Sequence, residues 1–171
     1  MKITNLKVDV FDWSTDQWQV GLKHMRAGGK KELSVVTVET DEGVEGNAFL
    51  SRPKHSAPGL IEFLKPIVVG RNPQDIGALW WELWKMNRAA SLAAIGAIDV
   101  CLWDINGKVA GLPIHRLLGT CKETVPVYSS TAYHEKMENY AEEAVRFKEM
   151  GWSAHKIHPH GDPMLDIEIS K

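Results

Sequence analysis

Lys156 and His158 are the residues whose types and spacing point most directly to chemistry. They sit two apart in Ser153-Ala-His-Lys-Ile-His-Pro159, a run that reads as a short strand. Residues two apart on a strand share a face, so a cation and an imidazole would project side by side. An imidazole titrates near neutrality and can take up a proton. The competing reading is a polar strand exit with no catalytic role. His155 points to the opposite face and reads as packing or surface. A second pair, His24 and Arg26, lies in a polar, Gly-containing stretch from Asp12 to Lys31 and could meet an anionic substrate. As ordinary loop charges, both would simply be solvated. Trp80, Trp81 and Trp84 invite a ligand-stacking role, but their helical spacing reads as packing. No metal site is assigned: Asp162, Asp166 and Glu168 fall in a loop and helix after the strand, and no Cys/His cluster has zinc-site spacing.

These side chains need elements to place them. Ile3 to Phe11 alternates around Ile3, Leu6, Val8 and Val10, as a strand does. Asp12 to Lys31 is too long for a simple hairpin turn and reads as either a functional loop or a disordered insertion. Leu33 to Thr40 is rich in β-branched residues, Asp41-Glu42-Gly43 is a tight turn, and Val44 to Leu50 is the returning strand. A second loop, Ser51 to Pro58, follows. Helices are predicted over His55 to Val68, with Leu60, Ile61, Leu64 and Ile67 on one face, and over Gln74 to Asn87. The clearest helix runs from Ser91 to Val109, with Leu92, Ile95, Ile98, Leu102, Ile105 and Val109 as its stripe. Asp99 lies near that stripe and calls for a hydrogen-bond partner; Asp104 and Lys108, four apart, read as a surface pair.

After Gly119 the pattern changes. Val125 to Thr131 reads as a strand, Glu138 to Met150 as an amphipathic helix, and Ser153 to Pro159 as a second strand. Asp162-Pro163 then has the form of a helix start. Strand, helix, strand is a βαβ rhythm and implies a parallel sheet. The organisation is therefore a meander plus helices over 1–120, then an α/β opening over 121–171.

Composition narrows the class. The chain has 171 residues, 44% of them hydrophobic, and a formal charge of −2. Nothing in that balance suggests nucleic acid or an anionic membrane as a partner. No run approaches the roughly 18 apolar residues of a membrane span. Cys101 and Cys121 read as reduced thiols, which makes the cytoplasm the default location.

Ala97-Ile-Asp-Val-Cys-Leu-Trp-Asp-Ile-Asn-Gly-Lys108, followed by Gly111-Leu-Pro113 and Leu117-Leu-Gly119, resembles a signature of the enolase superfamily, in its mandelate racemase/muconate lactonizing enzyme branch. The resemblance implies an α+β capping domain (a three-stranded antiparallel meander plus helices) over 1–120. The first one to two βα units of a TIM-type barrel would follow over 121–171, apparently truncated. The stretches Asp12 to Lys31 and Ser51 to Pro58 match the loops that close over substrate, which would make His24 and Arg26 substrate contacts. The family removes the α-proton of a carboxylate substrate and stabilises the enediolate with Mg²⁺. Its three carboxylate ligands sit on the third to fifth barrel strands, beyond these residues. Many members carry Lys-x-Lys at the end of the second barrel strand. Lys156 matches its first position, and His158 stands where the family has its second Lys.

The resemblance thus implies the N-terminal portion of a Mg²⁺-dependent acid-sugar dehydratase or racemase, with a small acid-sugar-like carboxylate as substrate. A cytoplasmic homo-oligomer is expected, inactive as this chain alone because the metal-ligand strands are absent. The alternative is a non-catalytic truncated product or a subunit that needs another chain. The ending Ile167-Glu-Ile-Ser-Lys171, in mid-helix, favours truncation.

Overall fold

The computed structural model describes residues 1–20, 25–51, 53–131, 134, 136–159 and 161–170. Three strands come first: β1 (Ile3–Val20), β2 (Met25–Thr40) and β3 (Glu45–Ser51), side by side in that order. β2 and β3 pair antiparallel from Leu33 opposite Ser51 to Glu39 opposite Glu45. Most of the Asp12–Lys31 stretch is therefore strand and not loop. Backbone ladder hydrogen bonds form whatever the side-chain polarity, so a polar hairpin arm carries no hydrophobic signal. Gly28 (φ 81°) and Gly29 (φ 78°) add a left-handed step that side-chain-bearing residues rarely take.

Helical segments follow. Pro53–Gly59 is α1, so the expected second loop is largely helical. Leu60–Leu64 forms a π-helical turn, and Lys65–Val68 is α2. Pro66 has no N–H to offer the Glu62 carbonyl four residues back, and the wider turn lies just before it. The turn also rotates the apolar face: Leu60, Leu64 and Val68 are buried, while Ile61, expected on that face, is exposed. The helix expected over Gln74–Asn87 is shorter, α3 (Ile76–Trp84), and buries Leu79 and Leu83. Its tryptophans do not join them, since Trp81 is 64% and Trp84 39% exposed.

The longest helix, α4 (Leu92–Ala110), starts at Ser91, whose hydroxyl accepts the Ala94 N–H at 3.2 Å, and ends at Gly111 with φ 63°. Ile95, Ile98, Leu102 and Ile105 enter the core beside Ala94, Ala97 and Cys101, while Leu92 and Val109 at the ends of the predicted stripe are exposed. The strand sheet packs on this helix at close range. A Cβ on Gly46 would stand 2.0 Å from the Cys101 carbonyl oxygen, so only glycine allows the approach. Asp104 and Lys108 are more than a surface pair: Asp104 Oδ2 accepts the Asn47 N–H at 2.9 Å, and Lys108 Nζ reaches the Glu45 carbonyl at 2.7 Å. The pair, itself 2.7 Å apart, fastens α4 to β3. A short α5 (Ile114–Leu117) follows.

The remaining elements are β4 (Ser129–Ser130), α6 (Met137–Glu149), β5 (His155–Lys156) and α7 (Pro163–Ile169). β4 and β5 pair parallel, Ser129 opposite His155 and Ser130 opposite Lys156. Both strands are much shorter than the sequence predicts, because among the described residues each pairs only with the other. Asp162 caps α7, its Oδ1 accepting the amides of Met164 at 2.9 Å and Leu165 at 3.3 Å. The chain divides into two compact units: Met1–Trp13 with Glu32–Cys121, and Ser14–Lys31 with Lys122–Lys171. The first holds a core from Ile3 and Leu6 through Val36, Val38 and Leu50 to Leu79, Ile98 and Leu102. Among the described residues no helix is long and apolar enough to cross a membrane.

Candidate functional site

The β4–α6–β5 unit carries the residues singled out for chemistry. A parallel pair needs a crossover, and α6 supplies it. α6 turns Tyr140, Glu143 and Phe147 toward the strands, at three- and four-residue spacing. His155 projects to that helix side. Its ring stacks on Phe147 at 5.2 Å and 25°, and its Nδ1 lies 2.8 Å from Ser129 Oγ. His155 is thus a packing residue, as the sequence indicates. Lys156, the next residue, is exposed. His158 is half-buried, and its carbonyl accepts the Tyr140 hydroxyl at 2.9 Å.

Tyr140 also accepts the His134 amide at 3.2 Å, although it is only 3% exposed. One hydroxyl therefore ties the segment after β4 to the exit of β5. Beside it, Glu143 Oε2 lies 2.6 Å from His134 Nε2 and 3.9 Å from His155 Nε2, the second distance too long for a hydrogen bond. Burial pushes the Glu143 carboxyl up, but the hydrogen bonds of His134 and Thr131, followed by the charge of the two neighbouring histidines, together outweigh it and hold the group below its ordinary range. The cluster is a fixed polar brace behind β5, with Lys156 on the other side.

Lys156 and His158 therefore lie on one segment with a pinned backbone. His24 lies outside the described residues. Arg26 belongs to β2, and its side chain lies outside the described set. The brace of His134, Tyr140 and Glu143 escapes sequence reading. The usable signal was a carboxylate three residues after a tyrosine and four before a phenylalanine, on the apolar side of an amphipathic helix. Among the described residues, no three His, Cys, Asp or Glu side chains converge where a metal ion could be held. The Lys156 ammonium and His158 imidazole are also poor ligands for Mg²⁺, which takes hard oxygen donors.

Comparison with known proteins decides the family. Residues 14–119 match the family model for the mandelate racemase/muconate lactonizing enzyme N-terminal domain. The chain belongs to that family of the enolase superfamily. The matched N-terminal domain is the capping domain, and its three-stranded sheet and helices are those described above. Among curated relatives, a D-mannonate dehydratase of Caulobacter vibrioides is 34% identical over 136 residues, covering 74% of this chain and 33% of the relative. A D-galactonate dehydratase family member of Marinomonas sp. is 33% identical over 135 residues, with the same coverage. A solved enolase superfamily member from Polaromonas sp. superposes with a TM-score of 0.83 at 27% identity, covering 99% of this chain and 47% of that one. D-glucarate dehydratase from Agrobacterium tumefaciens, solved with magnesium, gives 0.74 at 25% identity, covering 99% and 48%. The chain spans about a third of the length of these curated relatives and about half of these solved chains.

Proposed function

We propose that this chain is the N-terminal portion of a Mg²⁺-dependent acid-sugar dehydratase or racemase that removes the α-proton of a carboxylate substrate. The observation that carries the reading is the match, over 74% of the chain, to a D-mannonate dehydratase. In this reading residues 1–120 are the capping domain and 121–171 open the barrel. β4 and β5 are then its first two strands, and chemistry belongs at their C-terminal ends. No described residue of this chain would hold the Mg²⁺ of this reading; when bound, the ion would supply positive charge beside the substrate carboxylate.

His158 is the base of this scheme. A neutral imidazole accepts the α-proton, and the Tyr140 hydroxyl holds the His158 backbone in place. The Lys156 ammonium, exposed on the same segment, attracts the substrate carboxylate. His24 and Arg26 are substrate contacts in this reading. The protein works in the cytoplasm as a homo-oligomer.

A companion reading, that the unit is non-catalytic or needs another chain, has one observation in its favour. Val125, Val127, Tyr128, Met164 and Ile167 are all exposed, apolar side chains that a partner chain could cover. The test is a chimera in which this chain replaces the matching N-terminal third of the Caulobacter D-mannonate dehydratase. With Mg²⁺ and a panel of D-mannonate, D-galactonate and D-glucarate, the enzyme reading expects dehydration or epimerisation of at least one acid. A folded chimera inert toward all three supports the companion reading.

A further inference from the structure

The first unit carries a groove between α3 and α4 of about 570 Å³, a volume usual for small-molecule sites. Gly77, Trp80 and Trp81 come from one turn of α3; Asp99, Trp103 and Asn106 come from one face of α4. Trp80 lies stacked on Trp84 at 5.1 Å and 10°, and edge-on to Trp81 at 5.5 Å and 82°. The aromatic wall is therefore held in place before anything binds. Trp80 and Trp103 are half-buried, but Trp81 is 64% exposed, so core packing does not account for its place in the wall.

Asp99 makes no hydrogen bond or ion pair with the described residues, and burial alone pushes its carboxyl up. Asn106 spends its amide hydrogens on the carbonyls of Pro73 at 3.1 Å and Leu102 at 2.8 Å, which leaves Oδ1 as its acceptor. Among the described residues no Lys, Arg or His lines the groove. Three indoles, a carboxylate with no partner among the described residues and an amide oxygen all present electron density. Such a lining favours a cation with hydrogen-bond donors. A guanidinium is planar, stacks on indole faces and offers paired N–H groups to a carboxylate, which a quaternary ammonium lacks.

We propose that this groove binds the guanidinium group of a small solute, stacked on the tryptophans and hydrogen-bonded to Asp99. The site is independent of the catalytic proposal.

Ethylguanidinium titrated into the 171-residue chain tests it, with the indole N–H signals of Trp80, Trp81 and Trp103 followed by NMR. Saturable shifts are expected, with a Kd on the order of 1 mM for so small a ligand. Ethylurea, the uncharged isostere, should bind at least about tenfold more weakly, as should ethylguanidinium to Asp99→Asn. Gly77→Leu should abolish the response, because its side chain grows into the groove and a Cβ there meets no atom within 4 Å. Linear, unsaturated shifts, an equal response to ethylurea, or undiminished binding to either variant would overturn the proposal. Should Asp99→Asn fail to fold, ethylurea and Gly77→Leu decide the matter.

Discussion

Glu143 sits behind β5 with His134 at 2.6 Å, and its carboxyl is held below the ordinary glutamate range. Its folded pKa is lowered, so its contribution to stability is present above the unfolded value and is lost as pH falls through the folded one. The urea midpoint should therefore fall on acidification below about pH 4.5, and more steeply than in Glu143→Gln. Parallel acid slopes in the two proteins would remove Glu143 from the account. The two cysteines separate in the same way. Cys101 is buried, its Sγ 3.4 Å from the Val36 carbonyl, and burial pushes the thiol up to about 12. Cys121 is exposed. An aromatic disulfide reagent at pH 8 should label Cys121 alone, and Cys101 only after unfolding; rapid labelling of both would contradict the packing. The opposition of His155 and Lys156 was legible in the sequence, because strand alternation has one period and no choice. The brace was not, because a glutamate on an amphipathic helix reads as a solvent-facing charge until its partners are placed.

The elements differ in how openly the sequence declares them. α4 carries a hydroxyl cap at Ser91, a long apolar stripe and a glycine stop at Gly111, and each of these local signals agrees with the others. The β1–β2 arms carry no such agreement: cross-strand pairing organises them, and that is a property of two segments and not of one. The short β4 and β5 show the same dependence in reverse, since a strand read from alternation extends only as far as a partner pairs with it. Gly46 marks where β3 meets α4. Gly46→Ala would drive a methyl into the Cys101 carbonyl, and backbone cannot swing aside as a side chain can. The expected loss is about 3 kcal/mol or more in denaturant unfolding. A loss within error of zero would mean that strand and helix are farther apart than described. Nothing in the local sequence marks this glycine, because its neighbour lies 55 residues away along the chain.

At the scale of the molecule, the family was legible from one run of residues on α4 and the order of elements around it. The reaction was not, because among the described residues no three His, Cys, Asp or Glu side chains converge on one point. Under the proposed function, the chain's contribution is His158 as base, at a strand exit that the Tyr140 hydroxyl holds. The most direct test is exchange of the α-proton of D-mannonate with solvent deuterium, measured by NMR in the Caulobacter chimera with Mg²⁺, for the intact protein, His158→Asn and His155→Asn. The account predicts exchange in the intact chimera, a fall of about a hundredfold or more in His158→Asn with its fold unchanged, and near-intact exchange in His155→Asn. Undiminished exchange in His158→Asn, or a loss confined to His155→Asn, would contradict it.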